Sequence, residues 1–99
     1  MVETLQAEHF QPHVNKVFRV QGGRHALTLN GVDARRVEEW EAKLLPRMPF
    51  NLIFSGPPGD VLREGLYTFE VDGGPAFELY VMPIETRARD RQDYQAAFN

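Results

Sequence analysis

Two spacings of apolar residues run along this chain, and most of it follows the shorter one. From Lys16 the apolar positions alternate. Phe18 and Val20 fall on one face, with Val17 and Arg19 on the other. After Gly22-Gly23, His25, Leu27 and Leu29 alternate with Ala26, Thr28 and Asn30. Two alternating runs around a glycine pair predict a β-hairpin. Asn30-Gly31 reads as either a second tight turn or a bulge, with Val32 to Arg35 continuing the strand past it. Phe50 to Ser55 is an apolar strand, broken by Gly56-Pro57-Pro58-Gly59-Asp60. Leu66 to Val71 and Ala76 to Met82 alternate around Asp72-Gly73-Gly74, a turn that needs the positive φ glycine supplies without steric cost. Tyr94 to Phe98 reads as a last short strand, and Thr86 to Asp93 as a solvated loop.

The longer spacing occurs twice. Leu5 to Phe10 reads as one or two helical turns, with Thr4 as the N-cap and Pro12 ending the segment. A helix so short must dock to persist, and Leu5 and Phe10 are its docking groups. Between Arg36 and Leu45, Val37, Trp40 and Leu44 sit at i, i+3 and i+7, and Glu39 and Lys43 form an i, i+4 pair. This is either a short amphipathic helix with Trp40 facing inward or a loop with a helical turn. The fold expected is mainly β: a small antiparallel meander of five or six strands rolled into a barrel or sandwich, with a short N-terminal helix and at most one inserted helix.

Composition narrows the options. A chain of 99 residues makes one domain and buries roughly two thirds of its unfolded surface. It has no cysteine, which removes disulfides, thiolate metal sites and thiol nucleophiles. A net charge of −3 argues against nucleic acid or an anionic membrane as partner. No targeting segment and no apolar run of about 20 residues stands out, so a soluble cytoplasmic protein is the expectation.

Several short motifs together resemble a family. They are Pro49 to Pro57 (an apolar strand ending in Gly-Pro), Leu62 followed by Glu64-Gly65-Leu66-Tyr67, Phe77 to Pro83 (a strand running into a Pro), and the terminal Tyr94-Gln95-Ala96-Ala97-Phe98-Asn99. The chain resembles a small bacterial domain family of unknown function. The resemblance covers most of the chain and is weakest from Arg35 to Met48. It implies fold and length, and assigns no catalytic residue. It also carries a loose association with neighbours of phage-tail-like fibre proteins.

The residues suggest little catalytic chemistry. His9 and His13 are four apart, but Pro12 interrupts the helix that would align them as metal ligands, and no third ligand follows. Gly56 to Asp60 lacks the Lys-Ser/Thr of a phosphate loop. Ser55 is the only serine and has no nucleophile elbow around it. Glu70 and Glu78 lie on paired strands, on the face opposite the apolar one, where solvent accounts for both. Arg87, Arg89 and Arg91 are interleaved with Asp90 and Asp93, which compensates their charge. No catalytic, metal or cofactor site is expected.

Two functional readings follow. The first is a non-catalytic interaction or assembly module, binding another protein or its own copy through an edge strand. Tyr94, Gln95, Ala96 and Phe98 are the candidate edge residues, because the sequence ends there; the same strand could equally be paired inside the sheet. The second is a small-molecule-binding barrel or enzyme, in which His25, Tyr67, Glu78 and Tyr80 would line a pocket.

Overall fold

The computed structural model describes residues 5–34, 38–45 and 49–98. Six strands form its frame: β1 (Val17–Val20), β2 (Ala26–Ala34), β3 (Phe50–Gly56), β4 (Gly65–Val71), β5 (Ala76–Pro83) and β6 (Gln92–Phe98). They close into an antiparallel barrel in the order β1-β2-β3-β6-β5-β4. Two three-stranded meanders, β1-β2-β3 and β4-β5-β6, are thus joined along β1–β4 and β3–β6. The expected barrel is present, and its fifth and sixth strands extend the predicted runs by a residue or two.

Strand alternation sends one face of each strand inward. Phe18 and Val20, Leu27 and Leu29, Leu52 and Phe54, Phe69 and Val71, Leu79 and Val81, and Tyr94 and Ala96 are all buried. No charged or polar side chain is buried with them among the described residues. Each large aliphatic or aromatic side chain so buried contributes about 1.5–3 kcal/mol. Asn30-Gly31 is the bulge alternative: the β2–β3 register shifts between Leu29 and Gly31, and β2 continues to Ala34. Gly73 takes φ +71° in the β4–β5 turn, as its sequence requires.

The two ends of the barrel are filled differently. At the end where β3 and β5 begin, α1 (Ala7–Phe10) inserts Phe10. Its ring lies 4.6 Å from Phe77, 5.7 Å from Phe98 and 5.9 Å from Phe50. Leu5 packs on the same core from its margin. Pro12 does not end the helical course. It sits in the first turn of a 3-10 helix, Gln11–His13, where a missing N–H is tolerated. The cap residue of α1 is Gln6, whose backbone N–H donates to His9 Nδ1 at 2.9 Å; Thr4 lies outside the described residues. At the opposite end, the loop 57–64 folds over the mouth and buries Leu62.

The insertion between β2 and β3 corrects one expectation. It holds a single helical turn, α2 (Glu39–Ala42), which buries no residue. Trp40 is 67% exposed and Leu44 76%. The inserted helix is present as a single turn, and Trp40, expected to face inward, faces outward. One turn of helix has too few positions to bury a stripe. Arg36 and Val37 lie outside the described residues.

Candidate functional site

The strand proposed as an edge is inside the wall. β6 pairs with β3 along its whole length, from Gln92↔Gly56 to Phe98↔Phe50. On its other side it pairs with β5 at Gln95↔Met82 and Tyr94↔Pro83. Tyr94 and Ala96 are buried, Gln95 reaches towards Asn51 across β3, and Phe98 stacks on Phe50 at 4.5 Å. Hence Tyr94, Gln95, Ala96 and Phe98 build and close the barrel. The alternating Tyr94/Ala96 pattern fits a strand with one face in the core, the paired alternative read from the sequence.

The four residues proposed to line a pocket do not converge. Glu78 and Tyr80 share a face of β5 with Ala76, and that face is the outer one. The strand period of two separates them from Phe77, Leu79 and Val81. Tyr67 points inward beside Phe69, at 6.2 Å and edge-on, and its hydroxyl donates to the Arg63 carbonyl at 2.8 Å. His25 lies at the rim of the mouth that Leu62 covers. No pocket opens among the described residues.

That mouth holds the most connected polar cluster. Arg24 grips Asp60 with two bonds, Nε to Oδ2 at 2.9 Å and Nη2 to Oδ1 at 2.7 Å. His25 Nε2 lies 3.4 Å from the same carboxylate without a hydrogen-bonding alignment. The Arg24 guanidinium holds the Asp60 carboxyl below its usual range, with a smaller push in that direction from His25. Beneath this clamp the Leu62 N–H donates to the Tyr94 hydroxyl at 2.8 Å, which satisfies a buried backbone donor. Gly56 allows the close approach: a Cβ there would meet Leu27 Cδ2 at 2.8 Å and Tyr94 Cε1 at 3.5 Å. The cluster fastens a lid, and both charged partners remain largely in solvent. Sequence reading missed Leu62 as a plug. Its signal was a leucine, with Val61 beside it, in a run otherwise of Gly, Pro and charged residues.

The remaining motifs have local partners. Ser55 Oγ donates to Asn30 Oδ1 at 3.2 Å. His13 is packed edge-on against Phe18 and Phe77. No group of three His, Asp or Glu is placed to hold a metal among the described residues. Arg91 pairs with Asp93 at 2.8 Å, and Arg87 and Arg89 are exposed. Gln92 and Asp93, read as loop, open β6 instead. The Thr86 hydroxyl fastens the turn by accepting the Asp93 N–H at 2.8 Å and donating to the Ile84 carbonyl at 3.0 Å. Glu70 and Glu78 are offset by two residue pairs between β4 and β5, and both are exposed.

Outside the barrel, apolar side chains gather in two places. One is the Trp40–Leu44 turn. The other is the outer face of β4 and β5, where Leu66 (60% exposed) is the register partner of Tyr80 (48% exposed). The Tyr80 hydroxyl donates to Glu64, which raises the tyrosine's proton affinity.

A family described as a domain of unknown function (DUF6916) matches residues 5–98. The chain belongs to that family. The match takes in all six strands, both barrel plugs and the Trp40 turn, so the DUF6916 domain and the barrel described here coincide. No curated protein and no solved structure matches the chain. No helix among the described residues is long and apolar enough to cross a membrane.

Proposed function

We propose that this DUF6916 domain is a non-catalytic protein-interaction or assembly module whose partner binds the outside of the barrel. One observation carries the reading. The interior is filled by aromatic and aliphatic side chains and stoppered by Phe10 and Leu62, while five large apolar side chains are exposed among the described residues, Trp40 with Leu44 and Leu66 with Tyr80 in pairs and Val61 singly. Ligand recognition ordinarily needs a concave site with converging polar groups. Contiguous apolar groups on a surface, unlike scattered ones, are a mark of protein contact. Within this class, and from the family resemblance alone, we place the domain as an accessory part of a fibre or phage-tail-like assembly, acting in the cytoplasm.

The test is affinity capture from the native cell, followed by cross-linking and light scattering on the isolated complex. The expected result is a stoichiometric protein complex with cross-links on the outer face of the barrel. A strictly monomeric protein, with no protein partner and a ligand-specific thermal shift from a metabolite library, would point to the small-molecule reading instead.

A further inference from the structure

Strand pairing around the barrel is uneven. β5 pairs with β4 over Ala76–Val81, from Glu70↔Ala76 to Gly65↔Val81. Towards β6, β5 pairs only at Met82 and Pro83, and the Ile84 N–H extends that seam by donating to the Asp93 carbonyl at 3.0 Å. Below Met82 no register pair joins the two strands among the described residues, and Phe10 fills the interior behind them.

The direction of each β5 backbone group follows from the hairpin. The Val71 N–H donates to the Pro75 carbonyl at 3.0 Å. In an antiparallel ladder the N–H and C=O of alternate residues point to opposite sides. Hence Phe77, Leu79 and Val81 direct theirs at β4, while Ala76, Glu78 and Tyr80 direct theirs away from it. Met82, next in that series, meets Gln95; Ala76, Glu78 and Tyr80 have no strand beside them among the described residues. The same three side chains are exposed. An unpaired row of backbone donors and acceptors is a template for an added strand.

We infer that the open β5 edge, Ala76–Tyr80, takes up an extended basic segment of a partner protein as an additional strand. The inference rests on the interaction-module reading and names the surface and the partner chemistry for it. Charge and shape both bear on the occupant. Glu78 projects from the middle of the open stretch, and Glu64 lies beside Tyr80. Glu70 is on the next strand, turned towards β1, where Gln21 donates to it at 2.7 Å and Arg19 is its register partner. A lysine or arginine of an added strand would therefore meet Glu78 directly, and an apolar residue would cover the Leu66–Tyr80 pair. A second copy fits poorly. The antiparallel register that pairs the whole stretch with itself sets Glu78 opposite its own equivalent, and like charges directly opposed destabilise a strand pair.

The test is an amide-resolved NMR titration of the full chain with two short extended peptides. One alternates Lys with Val and Thr, and the other carries Glu in place of each Lys. The expected result is that the Lys peptide shifts and protects the amides of Ala76, Glu78 and Tyr80, with affinity falling as salt rises, and that the Glu peptide leaves them unchanged. Glu78→Lys, at a solvated position that folding does not need, should weaken the Lys peptide at least about tenfold and admit the Glu peptide. An equal response to both peptides, or protection that rises with protein concentration alone, would overturn the basic-partner assignment. Perturbations confined to Trp40 and Leu44 would overturn the β5 edge while leaving the module reading intact. Absence of any response would also overturn the edge assignment, and the capture experiment would then decide the broader reading separately.

Discussion

β6 and the turn around Trp40 are both short, both carry large aromatic side chains, and both join the body of the barrel through β3. They end on opposite sides of its wall. β6 places Tyr94 and Ala96 in the core because each residue is held in register by β3 along seven pairs. The Trp40 turn has one helical turn and no strand partner, so nothing fixes its apolar side against the barrel. Apolar character alone did not decide burial; a period matched to a continuous hydrogen-bonded neighbour did.

The largest expected effect would sharpen this contrast from the other short helix. α1 is as brief as α2, yet Phe10 is fully buried between three phenylalanines. Phe10→Ala should cost about 3–5 kcal/mol in urea denaturation, the range for truncating a buried phenylalanine. A loss below about 1 kcal/mol would mean that the plug is dispensable and that α1 resembles α2 after all.

Next comes the hydroxyl of Tyr94. Tyr94→Phe keeps the ring in β6 but leaves the buried Leu62 N–H without a partner, at a cost of about 1–3 kcal/mol. Hydrogen exchange at Leu62 should accelerate more than exchange along β3. An unchanged Leu62 amide would show that the lid over the mouth is held by something other than β6.

Smaller effects should follow pH, because the charged pairs of this barrel are solvated. Asp60 and Asp72 are held below the usual carboxylate range, first by hydrogen bonds from Arg24 and Arg19 respectively. Their contribution is present above the unfolded value of about 3.9 and is lost as pH falls through the lower folded values. Tyr80 is shifted the other way, chiefly by its hydrogen bond to Glu64. Its contribution is complete below the unfolded value of about 10 and is lost as pH rises through the higher folded one. Urea midpoints at acid and alkaline pH check both directions. Arg24→Gln should flatten part of the acid limb, and Tyr80→Phe the alkaline one.

Trp40→Ser should change stability least, by no more than about 0.5 kcal/mol, as for other exposed positions. The isolated wild-type chain should show the red-shifted fluorescence of a solvated indole. A loss above about 2 kcal/mol, or blue-shifted emission, would break the contrast by placing Trp40 in a packed site.

These comparisons also mark what the sequence made legible. Phe18, Leu27, Leu29, Phe54, Phe69, Leu79 and Val81 announced their strands because period two is a local property. The Asp72-Gly73-Gly74 turn was equally plain, since glycine solves a local steric problem. Strand order was not local. Nothing near Tyr94 states that its neighbours are β3 and β5, so its strand could be read as edge or interior with equal justice. Glu78 and Tyr80 alternate with Leu79 and Val81, and that local period by itself places them outside the barrel and away from any pocket. Leu62, Asp60 and Arg24 meet only after the barrel closes, and the short β5–β6 seam depends on where two distant strands diverge.

The β5–β6 seam decides whether the barrel keeps an open edge. Native-state amide exchange on the isolated chain, resolved residue by residue along β5, tests it directly. An open seam predicts an alternation in which Phe77, Leu79 and Val81 exchange slowly while Ala76, Glu78 and Tyr80 exchange rapidly, with protection returning at Met82. Uniformly slow exchange from Ala76 to Met82 would show that a strand or segment already covers the edge, and would contradict the open seam.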